Sequence, residues 1–189
     1  MADRLYLLYS LHGFTVQNML RHYEKMLRLF PYSRLMSGAS VFKVIPVAYS
    51  EPARIEETFV MPDALEEMLS SAKAFLDADS CYRLETWWDL WQYENDTWKI
   101  APSRVVLSCF GPEFQDAEGH LEIDFGIDAL FLPQPGLPNN VNMAQSNIKS
   151  LLKLVHDLDD TLSVDWRRLW TEAGENFAER LQLALLEAG

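Results

Sequence analysis

Four side chains with acid–base or metal-binding chemistry recur at even positions of one segment: His120, Glu122, Asp124 and Asp128. Because side chains alternate between the faces of a strand, we expect these four on one face and apolar residues on the other. Carboxylates two positions apart lie about 7 Å apart and, with a third ligand, could hold Mg²⁺ or Mn²⁺ that activates water. The pattern therefore predicts a divalent-metal-assisted hydrolase as one alternative, and a solvated strand face as the other.

A second pattern combines aromatic rings with carboxylates on a long strand that we predict from Cys81 to Glu94. One alternate set predicts a core face: Leu84, Thr86, Trp88 and Leu90. The other set, the partner strip, is Glu85, Trp87, Asp89, Trp91 and Tyr93. Such groups bind Lys and Arg side chains through ion pairs and cation–π contacts, so the strip is our candidate surface for a basic partner. The alternative is that C-terminal helices cover the strip as a second core layer.

Charge is distributed unevenly along the 189 residues, whose formal net charge is −12. Residues 1–50 carry a net charge of +4, whereas residues 51–96 carry −9. A negative field repels phosphate backbones and attracts basic surfaces. We therefore expect no nucleic-acid partner and favour a basic protein partner.

Other classes of function lack their sequence signals. No apolar run approaches the roughly 20 residues of a membrane-spanning helix, and the first residues do not resemble a signal peptide, so we expect a cytoplasmic protein with no membrane partner. The two cysteines, Cys81 and Cys109, are too few for a disulfide scaffold. Neither the phosphate-loop pattern nor the dinucleotide pattern occurs, and we expect no cofactor.

The order of predicted elements places these residues in an α+β fold. Strand, helix, strand, strand, helix, strand is the order of a ferredoxin-like split βαβ unit, here in an antiparallel or mixed sheet. A hairpin of Arg104–Phe110 with Leu121–Leu132 extends the sheet. A proline-rich connector at 134–138 then leads to a helical pair within 139–189, with apolar stripes over 141–162 and 166–185.

We therefore expect one α+β domain over residues 1–189, with residues 1–133 as the sheet-and-helix core. The leading hypothesis is a non-enzymatic acidic binding protein of inhibitor, immunity or adaptor type that engages a basic protein through the partner strip. The first alternative is the metal-assisted hydrolase that uses His120, Glu122, Asp124 and Asp128. A further alternative is a structural subunit that forms a homodimer through helix 141–162.

Overall fold

The fold was analysed in a computed structural model that describes residues 3–36 and 38–188. Seven strands and four α-helices are formed within these residues, together with one short 3₁₀ helix at Asp128–Leu130. In chain order they are β1 (Arg4–Leu11), α1 (Met19–Leu29), β2 (Ser40–Pro46), β3 (Ile55–Phe59), α2 (Leu65–Ala74), β4 (Ser80–Glu94), β5 (Thr97–Phe110), β6 (Leu121–Ile127), α3 (Asn140–Thr161), β7 (Val164–Thr171) and α4 (Phe177–Ala188).

The seven strands form one antiparallel sheet with the order β3-β2-β4-β5-β6-β1-β7. The predicted α+β class is therefore confirmed. The first six elements also follow the predicted order along the chain. The ferredoxin-like split βαβ arrangement is not confirmed, because three strands lie between β1 and β2 and the sheet is larger than that fold.

One face of the sheet carries the main hydrophobic core. Helix α1 contributes side chains at helical spacing, such as Tyr23 and Leu27, and α2 and α3 add their own buried stripes. The Tyr23 hydroxyl donates a hydrogen bond of 2.8 Å to the carbonyl oxygen of Leu107 in β5, which fixes α1 across the middle of the sheet. The predicted core face of β4 is confirmed, since its four residues are all buried: Leu84, Thr86, Trp88 and Leu90.

Strands β4 and β5 form a long hairpin that extends past β2 and β6. They pair residue by residue from Cys81–Phe110 to Glu94–Thr97, whereas β2 pairs with β4 only as far as Glu85. The turn is Asn95–Asp96, where both residues have positive φ, 51° and 59°, as a two-residue hairpin turn requires. This hairpin gives the partner strip its rigid support.

The predicted second C-terminal helix is wrong over its first half. Residues Val164–Thr171 form strand β7, which pairs antiparallel with β1, and α4 begins only at Phe177. The backbone groups along the outer edge of β1 need hydrogen-bond partners, and β7 supplies them. The apolar residues 166, 169 and 170 also suit helical spacing, so local periodicity favoured the helix although Trp166 and Trp170 alternate with Arg168.

Helix α3 forms as predicted, and its apolar stripe packs within the chain itself. Ala144, Leu151, Val155 and Leu158 are all buried, the last three of them in the main core. Dimerisation through this helix stays a prediction, and it would have to use other side chains. None of the helices in the described part of the chain is long and apolar enough to cross a membrane.

Candidate functional site

The face of the sheet opposite the main core, called the outer face below, is covered at one end by loops. There Phe114 and Ala117, from the loop after β5, pack on Ile45, Cys81 and Phe110 in a small separate cluster. Burial raises the pKa of the Cys81 thiol to about 12, which keeps it protonated and unreactive. Next to this cluster the outer face remains open.

A pocket of about 310 Å³ opens on the outer face beside the small cluster. Its floor consists of Tyr6 and Leu8 of β1 and Glu122 of β6, which strand pairing holds together because Leu8 lies directly opposite Glu122. One wall comes from Tyr49 and the loop after β5, and the other from Trp170 of β7 and the turn that follows it. The floor therefore rests on rigid strands and the walls on loops and the edge strand.

The lining of this pocket is acidic and aromatic. Four carboxylates line it: Asp116, Glu118, Glu122 and Glu172. Four aromatic rings line it as well: Tyr6, Tyr49, Phe110 and Trp170. None of its lining residues, which all belong to the described chain, is Lys or Arg. A pocket of this composition attracts cations and repels anions.

Glu122 has the most strongly perturbed carboxyl group in the pocket. Burial raises the pKa of Glu122 to about 7, and the negative charges of Asp124 and Glu118 act in the same direction. The nearby Arg83 guanidinium opposes this rise only in part. Within the described residues, no hydrogen bond or ion pair reaches the Glu122 carboxyl. A partly desolvated, unpaired acid in a pocket is a typical feature of a functional site.

Asp124, the neighbour of Glu122 on the same strand face, already binds other groups of this chain. Its carboxylate forms an ion pair with Arg4 and accepts a hydrogen bond of 2.9 Å from the Gly126 backbone N–H. The hydrogen bond to Asp124 raises the pKa of Arg4, which shows how tightly the two groups interact. Asp124 therefore contributes negative potential to the pocket, and each of its two carboxylate oxygens already accepts a hydrogen bond.

The two other residues of the predicted metal site lie elsewhere. His120 stacks on Phe14 at 4.1 Å, and its Nδ1 accepts a hydrogen bond of 2.8 Å from the Leu11 backbone N–H. Asp128 does not continue the strand face, and that prediction is wrong: β6 ends at Ile127 after Gly126, whose φ is +79°, and Asp128 begins the 3₁₀ helix. In the described part of the chain, no three His, Cys, Asp or Glu side chains meet in a group that could hold a metal ion.

The partner strip lies on the outer face, and each of its residues is partly exposed. Its two inner carboxylates are already engaged. Glu85 forms ion pairs with Arg83 and Arg104, and the hydrogen bond from Arg104 helps to lower the pKa of Glu85 although burial opposes it. Asp89 accepts hydrogen bonds from the Ser33 hydroxyl and the Arg34 backbone N–H. The strip thus offers mainly aromatic surface, and its use by a partner stays a prediction.

Most residues of the pocket were not singled out in the sequence. Tyr6 and Trp170 are far apart along the chain and lie opposite each other because β7 pairs with β1. Tyr49 comes from the loop after β2, and its backbone N–H donates a hydrogen bond of 2.8 Å to Asp116 of the loop after β5. One available signal was the alternation of Trp166, Arg168 and Trp170, which is typical of a strand. In the structure the Arg168 guanidinium stands 4.6 Å and 5.0 Å from the ring centroids of Trp166 and Trp170.

Comparisons of this chain with known protein families, with curated protein sequences and with solved structures find no match. Its function must therefore be inferred from the pocket and the charge distribution. Of the sites described above, the pocket at Glu122 combines concavity, rigid support and an unpaired ionisable group.

Proposed function

We propose that this protein is a binding protein that receives a cationic group of a basic protein partner in the pocket at Glu122. The observation that carries the proposal is the unpaired Glu122 carboxyl, held at the floor of a pocket with three further carboxylates and no lining Lys or Arg. A Lys or Arg side chain of a partner would supply the charge that this pocket lacks. The inhibitor, immunity or adaptor type of role belongs to the same proposal.

The charge of the whole chain supports the same class of partner. The net charge of −12 attracts a basic surface over distances longer than a hydrogen bond, and this accelerates encounter more than it strengthens the final complex. The arginines near the pocket each have a carboxylate partner: Arg4 pairs with Asp124, Arg168 with Glu118, and Arg83 with Glu85, which also pairs with Arg104. The described residues that line the pocket itself carry no positive charge.

The aromatic walls are suited to a cation as well. The Arg83 guanidinium lies 5.9 Å from the Tyr49 ring centroid, and Arg168 stacks on Trp170. Two rings of the pocket thus already interact with guanidinium groups of this chain on part of their surface. A bound cation that reaches the remaining ring surface gains about 0.5–2 kcal/mol from each favourable cation–π contact.

The hydrolase alternative receives less support from the geometry. It would require Glu122 and Asp124 to share a metal ion, but the Asp124 carboxylate is occupied by Arg4 and by the Gly126 N–H. It would also require His120, whose Nδ1 is occupied by the Leu11 N–H. His120 would have to give up its hydrogen bond, because Nδ1 is the acceptor and Nε2 then carries the proton, and a metal ion on Asp124 would compete with Arg4. A cation can approach Glu122 directly.

The proposal is tested by titrating an N-acetylated tetralysine amide into the wild-type protein and into two variants at about pH 8. Glu122→Gln removes the unpaired charge from the pocket. Glu67→Gln, on the exposed surface of α2, removes the same charge elsewhere. We expect Kd to rise about tenfold or more in Glu122→Gln, since a hydrogen bond to a charged group contributes about 1.5–3 kcal/mol. Equal affinities of the two variants would overturn the proposal.

A further inference from the structure

We propose that the pocket exchanges a proton for its ligand: Glu122 is protonated in much of the free protein and releases that proton when a cationic group binds. This inference rests on the proposed function and specifies how the same site is regulated. The proton leaves the Glu122 carboxyl for solvent, and the cation takes its place as the positive partner of the carboxylate. No bond other than that O–H bond is broken.

The groups that surround Glu122 explain why the free site keeps a proton. On its own strand Asp124 raises the pKa of Glu122 although it pairs with Arg4 of β1, and the adjoining loop contributes Glu118. On the neighbouring strands the residues directly opposite are neutral, Ser108 of β5 and Leu8 of β1. An ionised Glu122 would therefore face two like charges and little water, and both effects favour the neutral carboxyl.

The basic groups in the vicinity do not reverse this balance. Arg83 of β4 is the cation that acts on Glu122, but it also lies 3.5 Å from Glu85 and stacks on Tyr49. Arg168 of β7 lies opposite Leu8 of β1, and its guanidinium contacts the rings of Trp166 and Trp170. The same guanidinium lies 3.9 Å from the Glu118 carboxylate. The remaining ionisable groups of the pocket are acids or phenols: Asp116, Glu172, Tyr6 and Tyr49.

A cation in the pocket favours the ionised form of Glu122 over the protonated form. It supplies the missing opposite charge within contact distance and thereby stabilises the carboxylate form. Because burial and neighbouring acids raise the pKa of Glu122 to about 7, the exchange falls in the neutral range. Binding and proton release are then linked, and affinity must rise with pH across this range. Between about pH 6 and about pH 8 we expect an increase of about tenfold.

The exchange is measured by calorimetric titration of N-acetylated tetralysine amide at about pH 6.5 in buffers of different ionisation enthalpy. Acetylation removes the α-amino group, which would otherwise exchange protons of its own near neutral pH. The side-chain ammonium groups of the probe stay charged throughout. Because a carboxyl with a pKa of about 7 is about three-quarters protonated at about pH 6.5, we expect at most about 0.75 proton to be released per bound probe by the wild type and by Glu67→Gln, and none by Glu122→Gln. Carbon-13 NMR of the free protein should show the Glu122 carboxyl titrating near neutral pH, and this readout needs no ligand.

The outcomes separate this inference from the proposed function. Binding that depends on Glu122 at about pH 8, without proton release and with the same affinity at about pH 6, would overturn the exchange and leave the binding function intact. A Glu122 carboxyl that titrates in the ordinary range of Glu residues in the free protein would overturn the exchange as well. Absence of binding at every pH, with Glu122 titrating near neutrality, would overturn the proposed function.

Discussion

The side-chain amide of Asn147 in α3 binds both backbone polar groups of Trp91 in β4. The Trp91 N–H donates to Oδ1 at 2.9 Å, and the Asn147 Nδ2 donates to the Trp91 carbonyl oxygen at 2.9 Å. The same Nδ2 donates to the Leu130 carbonyl oxygen at 2.7 Å. Because β2 stops pairing with β4 at Glu85, this buried amide takes the place of a neighbouring strand and ties the long hairpin to α3.

Replacement of Asn147 by Ala should therefore destabilise the protein strongly. Three backbone groups would lose their partner in a partly buried region, at a cost of about 1–3 kcal/mol for each group that water cannot reach. Urea unfolding monitored by tryptophan fluorescence measures the loss. Asn142→Ala, at an exposed position of the same helix, is the matched control and should change stability little. Similar unfolding midpoints for the two variants would contradict this role of Asn147.

Asp128 should hold α4 on the body of the protein. Its carboxylate is buried, accepts a hydrogen bond of 2.9 Å from the Asp3 backbone N–H and forms an ion pair with Arg180 of α4. Asp128→Ala would leave both donors without this acceptor, and we expect a loss on the order of 3 kcal/mol, as for other broken buried pairs. Amide hydrogen exchange should accelerate first in α4.

Glu175 provides the control for Asp128, because it pairs with the same arginine at 2.7 Å on the exposed surface. Glu175→Ala should cost at most about 1 kcal/mol, the usual range of exposed ion pairs. If Asp128→Ala left hydrogen exchange in α4 as slow as Glu175→Ala does, the anchoring role would be wrong.

The stability of the wild type relative to Glu122→Gln should depend on pH. The folded-state pKa of Glu122, about 7, lies above its ordinary value of 4.5, so the folded state holds the proton more tightly than the unfolded chain. The stabilisation from the protonated group is complete below about pH 4.5 and is lost as the pH rises towards about 7, by an amount on the order of 3 kcal/mol. Urea midpoints of the two proteins at several pH values check this. Parallel pH profiles would show that Glu122 titrates normally.

Two histidines around Phe14 should make the protein less stable in acid. Burial lowers the pKa of His22, helped by the charges of Lys25 and Arg21, and burial also lowers the pKa of His120. Protonation therefore favours the unfolded chain, so this stability is complete above about pH 6.5 and falls as the pH drops below it. The buried Nδ1 of His22 has no hydrogen-bond partner within the described residues.

Urea midpoints at about pH 7 and about pH 5 measure this acid sensitivity. His22→Leu removes one titrating ring and keeps an apolar side chain in the buried face of α1, so the decrease in acid should become smaller. His156→Gln, an exposed ring on α3, should leave the decrease unchanged. A decrease in His22→Leu as large as in the wild type would mean that His22 does not contribute.

Sequence reasoning succeeded where the pattern is local. The alternation along β4 correctly separated Trp88 in the core from the partly exposed Trp87, because period-two patterning reflects burial directly. It failed for β7, whose strand state depends on an open edge of β1 more than 150 residues away. The pocket depends on that same pairing, since Trp170 lies opposite Tyr6 only when residues 164–171 form a strand beside β1. Glu122 was predicted as a metal ligand from its strand alternation, but which residues surround it is set by strand order.

The most direct test of the central claim is to locate a small cation on the protein by NMR. n-Butylammonium chloride, added at about pH 8 to wild type and to Glu122→Gln, should shift the Trp170 indole, the Tyr6 ring and the Glu122 carboxyl of the wild type together. The Trp98 indole, whose Nε1 donates to the Pro138 carbonyl oxygen away from the pocket, should not move. Shifts that are equal in Glu122→Gln, or that avoid Trp170 and Tyr6, would contradict a cation site at Glu122.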